Sequence, residues 1–205
     1  MISTIRKSTY KAIYRLLDKV SPLPGDCGQL CGAACCTCGG DDTQGDGLDF
    51  DMGIYLLPGE EKLFTRKEDW LKWSAEDAED YEFPLSWTGK VYFVRCKTPP
   101  HCPRALRPLQ CRFYPLAPYL TEEGQLELIL SHTELPYRCP LISESMPLQP
   151  SFIQANRTVW NRLIQDPLIK DLVRMDSENL RKRMKRKKRK IEFITVQHTE
   201  NRPVK

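Results

Sequence analysis

Residues 27–40 read Cys27-Gly-Gln-Leu-Cys-Gly-Ala-Ala-Cys-Cys-Thr-Cys-Gly-Gly40, with five cysteines in twelve positions. The surrounding stretch, 21–49, holds seven glycines and five aspartates, and Leu23, Leu30 and Leu48 are its only large aliphatic residues. Ordering a backbone costs about 1–2 kcal/mol per residue, more than three leucines can offset. Something other than a hydrophobic core must hold this segment. Thiolates are the softest common protein ligands and suit zinc, copper(I) and iron–sulfur clusters. Metal binding is worth about 10–16 kcal/mol in zinc peptides, enough to order such a loop. Cysteine is also a frequent core residue, but a segment this rich in glycine and aspartate offers no core in which to bury five thiols.

Working outward, the remaining four cysteines are Cys96, Cys102, Cys111 and Cys139. Three lie in Arg95-Cys-Lys-Thr-Pro-Pro-His-Cys-Pro-Arg-Ala-Leu-Arg-Pro-Leu-Gln-Cys-Arg112, where Arg95, Lys97, Arg104, Arg107 and Arg112 crowd the thiols. Four thiolates around a zinc ion or a cubane core leave a net charge of about −2, which nearby cations offset while favouring the thiolate form. The amides at Gly28, Gly32, Gly39 and Gly40 are candidate donors to sulfur. His101, beside Cys102, reads equally as a replacement ligand or as an exposed side chain.

The adjacent pair Cys35-Cys36 and the later string Cys102-x4-Arg107-Pro108-x2-Cys111-Arg112-x-Tyr114-Pro115 together resemble the YkgJ-type cysteine-cluster family, a zinc- or iron-chelating domain. The resemblance covers about residues 27–139. It implies eight ligands: Cys27, Cys31, Cys35, Cys36, Cys96, Cys102, Cys111 and Cys139. Cys38 is left over, and its exchange with Cys36 stays open, because the first cluster is spaced x3 and x3 where the family more often has two intervening residues. What the resemblance implies is chelation and little else, although relatives such as the flagellin lysine methylases look like iron–sulfur proteins.

Eight thiols allow two closed four-cysteine sites, or one cluster with partly structural surroundings. On an extended chain Cys35 and Cys36 would point to opposite faces and serve different sites more easily than one. Spacing does not separate zinc from iron–sulfur, though the lack of paired Cys-x2-Cys knuckles leans toward iron–sulfur. Cys31-x3-Cys35-x2-Cys38 has the spacing of radical S-adenosylmethionine enzymes, but Thr37 stands where those enzymes usually place an aromatic residue and no alternating β/α pattern follows. Cys35-x2-Cys38 lacks the βαβ context of a thioredoxin-like pair. Asp42-x-Gln44-x-Asp46-Gly47 resembles the start of a calcium loop, yet Gly53 occupies the twelfth position, so a solvated acidic loop is the better account. Walker, Gly-x-Gly-x-x-Gly, Gly-x-Ser-x-Gly and His-Glu-x-x-His strings are absent.

The whole chain has 205 residues, 40% hydrophobic and 28% charged, a globular composition of one-domain length. Residues 181–190 carry nine cations, and subtracting these from the net +4 leaves −5 for the remainder. That run suits nonspecific contact with nucleic acid or an anionic surface; with only Met184 interleaved it lacks aromatic residues for base stacking, and a solvated helix extension is the plain alternative. No secretory leader and no apolar run of about 18 residues is visible, so a protein without a transmembrane segment, in the reducing, bacterial-type cytoplasm, is expected.

Periodicity predicts an amphipathic helix over 1–20 (Ile5, Ile13, Leu16, Leu17, Val20), a strand over Met52–Leu57, a helix from Glu68 to Ala78, and a strand over Val91–Cys96. A hairpin is expected around Thr121–Gly124, despite Pro115 and Pro118, followed by helices over Ser151–Gln165 and from Pro167 to about Lys190. The fold class is therefore α+β: a small, β-rich, proline-rich cysteine-cluster centre flanked by helices, with a domain over 1–180 and a basic extension over 181–205. The expected function is metal binding, through zinc or an iron–sulfur cluster, in a structural, carrier or electron-transfer role. An iron–sulfur enzyme of redox or S-adenosylmethionine-dependent methyl-transfer type is the alternative, and a nucleic-acid-associated metal protein a third.

Overall fold

A computed structural model describes residues 2–37, 53–98, 101–133, 135 and 137–196. The first helix, α1 (Lys7–Leu17), buries Tyr10, Ile13, Tyr14 and Leu17, an i, i+3, i+4, i+7 stripe. The stripe differs from the expected one: two tyrosines join it and Leu16 is exposed. The phenols find buried acceptors, Tyr10 at Pro58 O (2.7 Å) and Tyr14 at Glu60 Oε1 (2.5 Å), and so pack as core residues.

Strands β1 (Ile54–Tyr55), β2 (Leu71–Asp77) and β3 (Lys90–Cys96) form an antiparallel sheet in the order β1-β3-β2. The helix expected over Glu68–Ala78 is instead β2. Trp70 and Trp73 are three apart and imitate a helical face, but Leu71 and Trp73 turn inward while Lys72 and Ser74 face water, a period of two. Pairing with β3 along its full length, from Leu71 opposite Cys96 to Asp77 opposite Lys90, overrides the local signal. Cys96 thus sits at the end of a strand held on one side by seven residue pairs.

The expected hairpin is present as β4 (Leu116–Leu120) and β5 (Leu126–Leu130), closed by Gly124 at φ 80° and by Thr121 N–H donating to Gln125 O. Pro118 is tolerated because this sheet has two strands, so its missing N–H falls on the unpaired edge.

Helices α5 (Pro150–Leu163) and α6 (Pro167–Arg186) follow, each with proline in its first turn. Asp166 caps α6: Oδ1 accepts from Leu168 N (3.0 Å) and Ile169 N (3.3 Å). Its Oδ2 accepts from Ser3 Oγ, Thr4 N and Thr4 Oγ1, tying the N-terminus to the same turn.

One large core joins α1, the three-stranded sheet, the hairpin and the C-terminal helices. The basic run begins inside α6 and is partly structural. Arg181 donates to Leu120 O (2.7 Å) and Arg183 to His132 O (2.8 Å). Beyond Lys188, at φ 52°, the chain returns to the hairpin, where Ile194 N–H donates to Leu128 O (2.7 Å). No helix among the described residues is long and apolar enough to cross a membrane.

Candidate metal centre

Cys27 opens a 3-10 turn (Cys27–Leu30) whose cap, Asp26, accepts from Gly28 N at 3.0 Å. The Gly28 amide is therefore spent on a carboxylate, not on a sulfur. Gly32 (φ 60°) and Ala33 (φ 56°) then reverse the chain through two successive left-handed residues, and Ala33 N–H donates to Gly28 O (2.8 Å). This reversal starts the short helix α2 (Ala34–Thr37), which carries Cys35 and Cys36. The pair is helical, not extended as the sequence suggested, and its sulfurs lie 4.0 Å apart in a thiol–thiol hydrogen bond.

The second group approaches from the body of the fold. Cys96 ends β3, Cys102 lies in the loop before the 3-10 turn Arg104–Leu106, Cys111 is on the short helix α3 (Leu109–Phe113), and Cys139 caps α4 (Pro140–Ser143). Cys35, Cys36, Cys96, Cys102 and Cys111 all line one cavity of about 540 Å³. The two sequence groups, separated by β1 and β2, therefore meet. Cys38 and the Asp42–Gly47 loop lie outside the described residues. His101 is exposed and does not line the cavity.

Mutual electrostatics show which thiols are neighbours. Around Arg107, Cys36 disfavours ionisation of Cys96 and Cys111, and Cys102 does the same to both. Desolvation is the larger cause at each, raising Cys96 and pushing Cys111 up to about 12. Cys111 is wetted from the cavity but ringed by protein elsewhere, which is why it is both accessible and hard to ionise. Cys27 is raised by burial, then by Asp26, Cys139 and Cys31; Cys35 is raised by its bond to Cys36 and by burial, then by Cys36, Cys111 and Cys27. The influences overlap at the adjacent pair, since Cys35 feels Cys111 ahead of Cys27. Cys35 and Cys36 share a proton: their hydrogen bond lowers Cys36 and raises Cys35.

Of the five cations that crowd the second group in sequence, the structure gives them different tasks. Arg107 Nε donates to Cys102 Sγ at 3.3 Å and also favours ionised Cys36. Arg95 and Lys97 line the cavity as well. Arg112 instead holds backbone together. Its Nε donates to Arg107 O (2.6 Å), Nη2 to Arg104 O and Nη1 to Tyr14 O (3.4 Å), while the guanidinium lies 4.7 Å over the Tyr14 ring. Arg104 reaches away to Val20 O (3.0 Å).

Sequence reasoning missed Glu60. Fully buried, it accepts from Tyr14 Oη, Leu57 N (3.0 Å) and Leu109 N (2.9 Å), and so fixes the first residue of the helix that carries Cys111. No motif announces a lone structural carboxylate; Pro58-Gly59 before it was the only local signal. Tyr114, whose phenol is raised by burial and then by Tyr137 and Cys139, was likewise unread as a neighbour of a thiol.

No family model, curated protein or solved structure matches this chain. The site is therefore described by its own donor chemistry. Among the described residues, no three His, Cys, Asp or Glu side chains already stand close enough together to hold an ion. A change of χ1 rotamer moves a cysteine sulfur by about 3 Å, and the eight cysteines are all soft donors. The donor set fits a thiolate-bound metal; coordination requires side-chain rotation in both groups.

Proposed function

We propose that this chain is a cysteine-ligated metal protein of the cytoplasm, holding metal in two four-thiolate sets, Cys27/Cys31/Cys35/Cys139 and Cys36/Cys96/Cys102/Cys111. The observation that carries this reading is the convergence of two distant cysteine groups on one neighbourhood with Arg107 between them. Zinc and iron–sulfur cores both answer to four thiolates. The first set, three of whose cysteines do not line the cavity, suits a closed structural ion such as zinc; the second, beside open volume, has room for a cluster. Metal there would tie the N-terminal loop to the body, giving a structural, carrier or electron-transfer role. The YkgJ-type resemblance is part of the same proposal.

A second reading, an iron–sulfur enzyme, is supported by the cavity itself, since substrate chemistry needs open space beside the metal. The exposed cations Lys182, Lys185, Arg186, Lys188, Arg189 and Lys190 support nonspecific contact with polyanions as an accessory property.

The test is anaerobic purification with metal and sulfide analysis and an absorption spectrum. Broad absorbance near about 400 nm with iron and sulfide selects a cluster, whereas a colourless zinc protein removes the redox reading. Cys102→Ser and Cys139→Ser should each lower metal content, while Cys38→Ser retains it; full retention in all three variants overturns the assignment.

A further inference from the structure

The thiols and cations are only part of the cavity's lining. Helix α6 buries Ile169, Leu172, Val173, Ser177, Leu180 and Met184, one continuous stripe. Asp176 stands three and four residues from Val173 and Leu172, at a position where that stripe calls for an apolar side chain, and all three line the cavity. Its neighbour Ser177 is spent on structure, donating to Val173 O (2.6 Å) and accepting from Leu120 N (2.9 Å). No described residue gives the Asp176 carboxylate a hydrogen bond or an ion pair. Water reaches it, yet surrounding protein raises it to about 6 through desolvation alone.

Asp176 is exposed to solvent, yet it stands beside the apolar stripe of α6 and on the wall of the cavity. The cations of the cavity, Arg95, Lys97 and Arg107, line it together with the thiols, and Arg107 is engaged with Cys102. Apolar and aromatic side chains line the same cavity. The Tyr55 phenol is raised by burial and then by Asp176, and its ring packs edge-on against Phe83 (5.0 Å) and Trp87 (6.0 Å). Phe113, Leu116 and Trp160 complete that lining. A lone carboxylate among aromatic faces is complementary to an organic cation, which gains a charge partner and ring faces together. The chain's own 38–52 segment is a poor partner for this carboxylate, carrying five aspartates and no lysine or arginine. At about 540 Å³ the volume is that of a small-molecule site.

We propose that this cavity is a binding site for a small organic ammonium compound, its cationic nitrogen against Asp176 and its body against Tyr55, Phe113 and Trp160. The site goes beyond the metal reading and does not depend on it.

The experiment is calorimetric titration of the full chain, as purified, with benzylammonium chloride and with benzyl alcohol, its neutral counterpart. Benzylammonium should bind saturably and about tenfold or more tighter than the alcohol, and Asp176→Asn should remove that advantage while leaving alcohol binding unchanged. Asp176→Leu completes the apolar stripe, so it should melt at or above the wild-type temperature and bind no benzylammonium. The proposal is overturned if the cation and the alcohol bind alike, if Asp176→Asn binds the cation as the wild type does, if no saturation occurs up to about 10 mM, or if Asp176→Leu is less stable than wild type, which would make the carboxylate structural. Metal content is measured on every sample: loss of cation binding with metal retained separates this site from the thiolate centre.

Discussion

Replacing Glu60 should be the most damaging single change outside the cysteines. Its carboxylate is inaccessible to water and accepts from three buried donors: Tyr14 Oη at 2.5 Å, Leu57 N at 3.0 Å and Leu109 N at 2.9 Å. An unpaired buried donor costs about 1–3 kcal/mol, so Glu60→Leu, which strands all three, should lose about 3–6 kcal/mol after partial relaxation. Glu60→Gln keeps one oxygen for Tyr14 and Leu109 but turns an amide N–H₂ toward Leu57 N–H, so about 1–3 kcal/mol is expected. The pH dependence has a definite sign. Burial is the largest influence on Glu60 and raises it above its ordinary 4.5, against the lowering effect of the three hydrogen bonds. An acid whose folded pKa is raised contributes stability that is complete below about 4.5 and is lost as pH rises through the folded value. The wild-type advantage over Glu60→Gln should therefore narrow as the pH rises. Urea unfolding followed by circular dichroism at several pH values measures both effects. If Glu60→Leu and Glu60→Gln fall within about 0.5 kcal/mol of wild type, the carboxylate is not the junction between α1 and the helix bearing Cys111.

Three further outcomes follow from the same geometry. Arg112→Lys should lose about 1–3 kcal/mol in urea unfolding, because a single ammonium cannot span the three carbonyls that the guanidinium bridges. Arg107→Gln should weaken metal binding about 10- to 100-fold in competition with a chelator, through loss of the contact to Cys102 Sγ, with little change in metal-free stability. Asp166→Ala uncaps α6 and releases Ser3 and Thr4, so a loss of at least about 2 kcal/mol and faster proteolysis of the N-terminus are expected.

Much of the fold was readable because long periodic segments leave little choice. Helix α1, though not the make-up of its buried stripe, the β4–β5 hairpin and the proline-started α5 and α6 stand close to where periodicity put them. The segment 71–77 was misread because two tryptophans three apart outweigh a short alternation until the partner strand is known. At the site, the sequence singled out eight cysteines but not the helical geometry of Cys35 and Cys36, which follows the left-handed turn at Gly32 and Ala33. It placed Arg112 among the cations serving the thiols, whereas the guanidinium holds the backbone of their loop. Glu60 and Asp176 carry no motif, although Asp176 interrupts an otherwise apolar face in plain view.

The central claim is that sulfur alone surrounds the bound metal, drawn from both cysteine groups. X-ray absorption at the K-edge of whatever metal the anaerobically purified chain retains tests it directly. The account predicts a first shell of four sulfurs at about 2.3 Å per metal, reduced in Cys36→Ser and in Cys102→Ser alike, since these ligands come from opposite groups. A shell dominated by nitrogen or oxygen, or one untouched by either substitution, would contradict it.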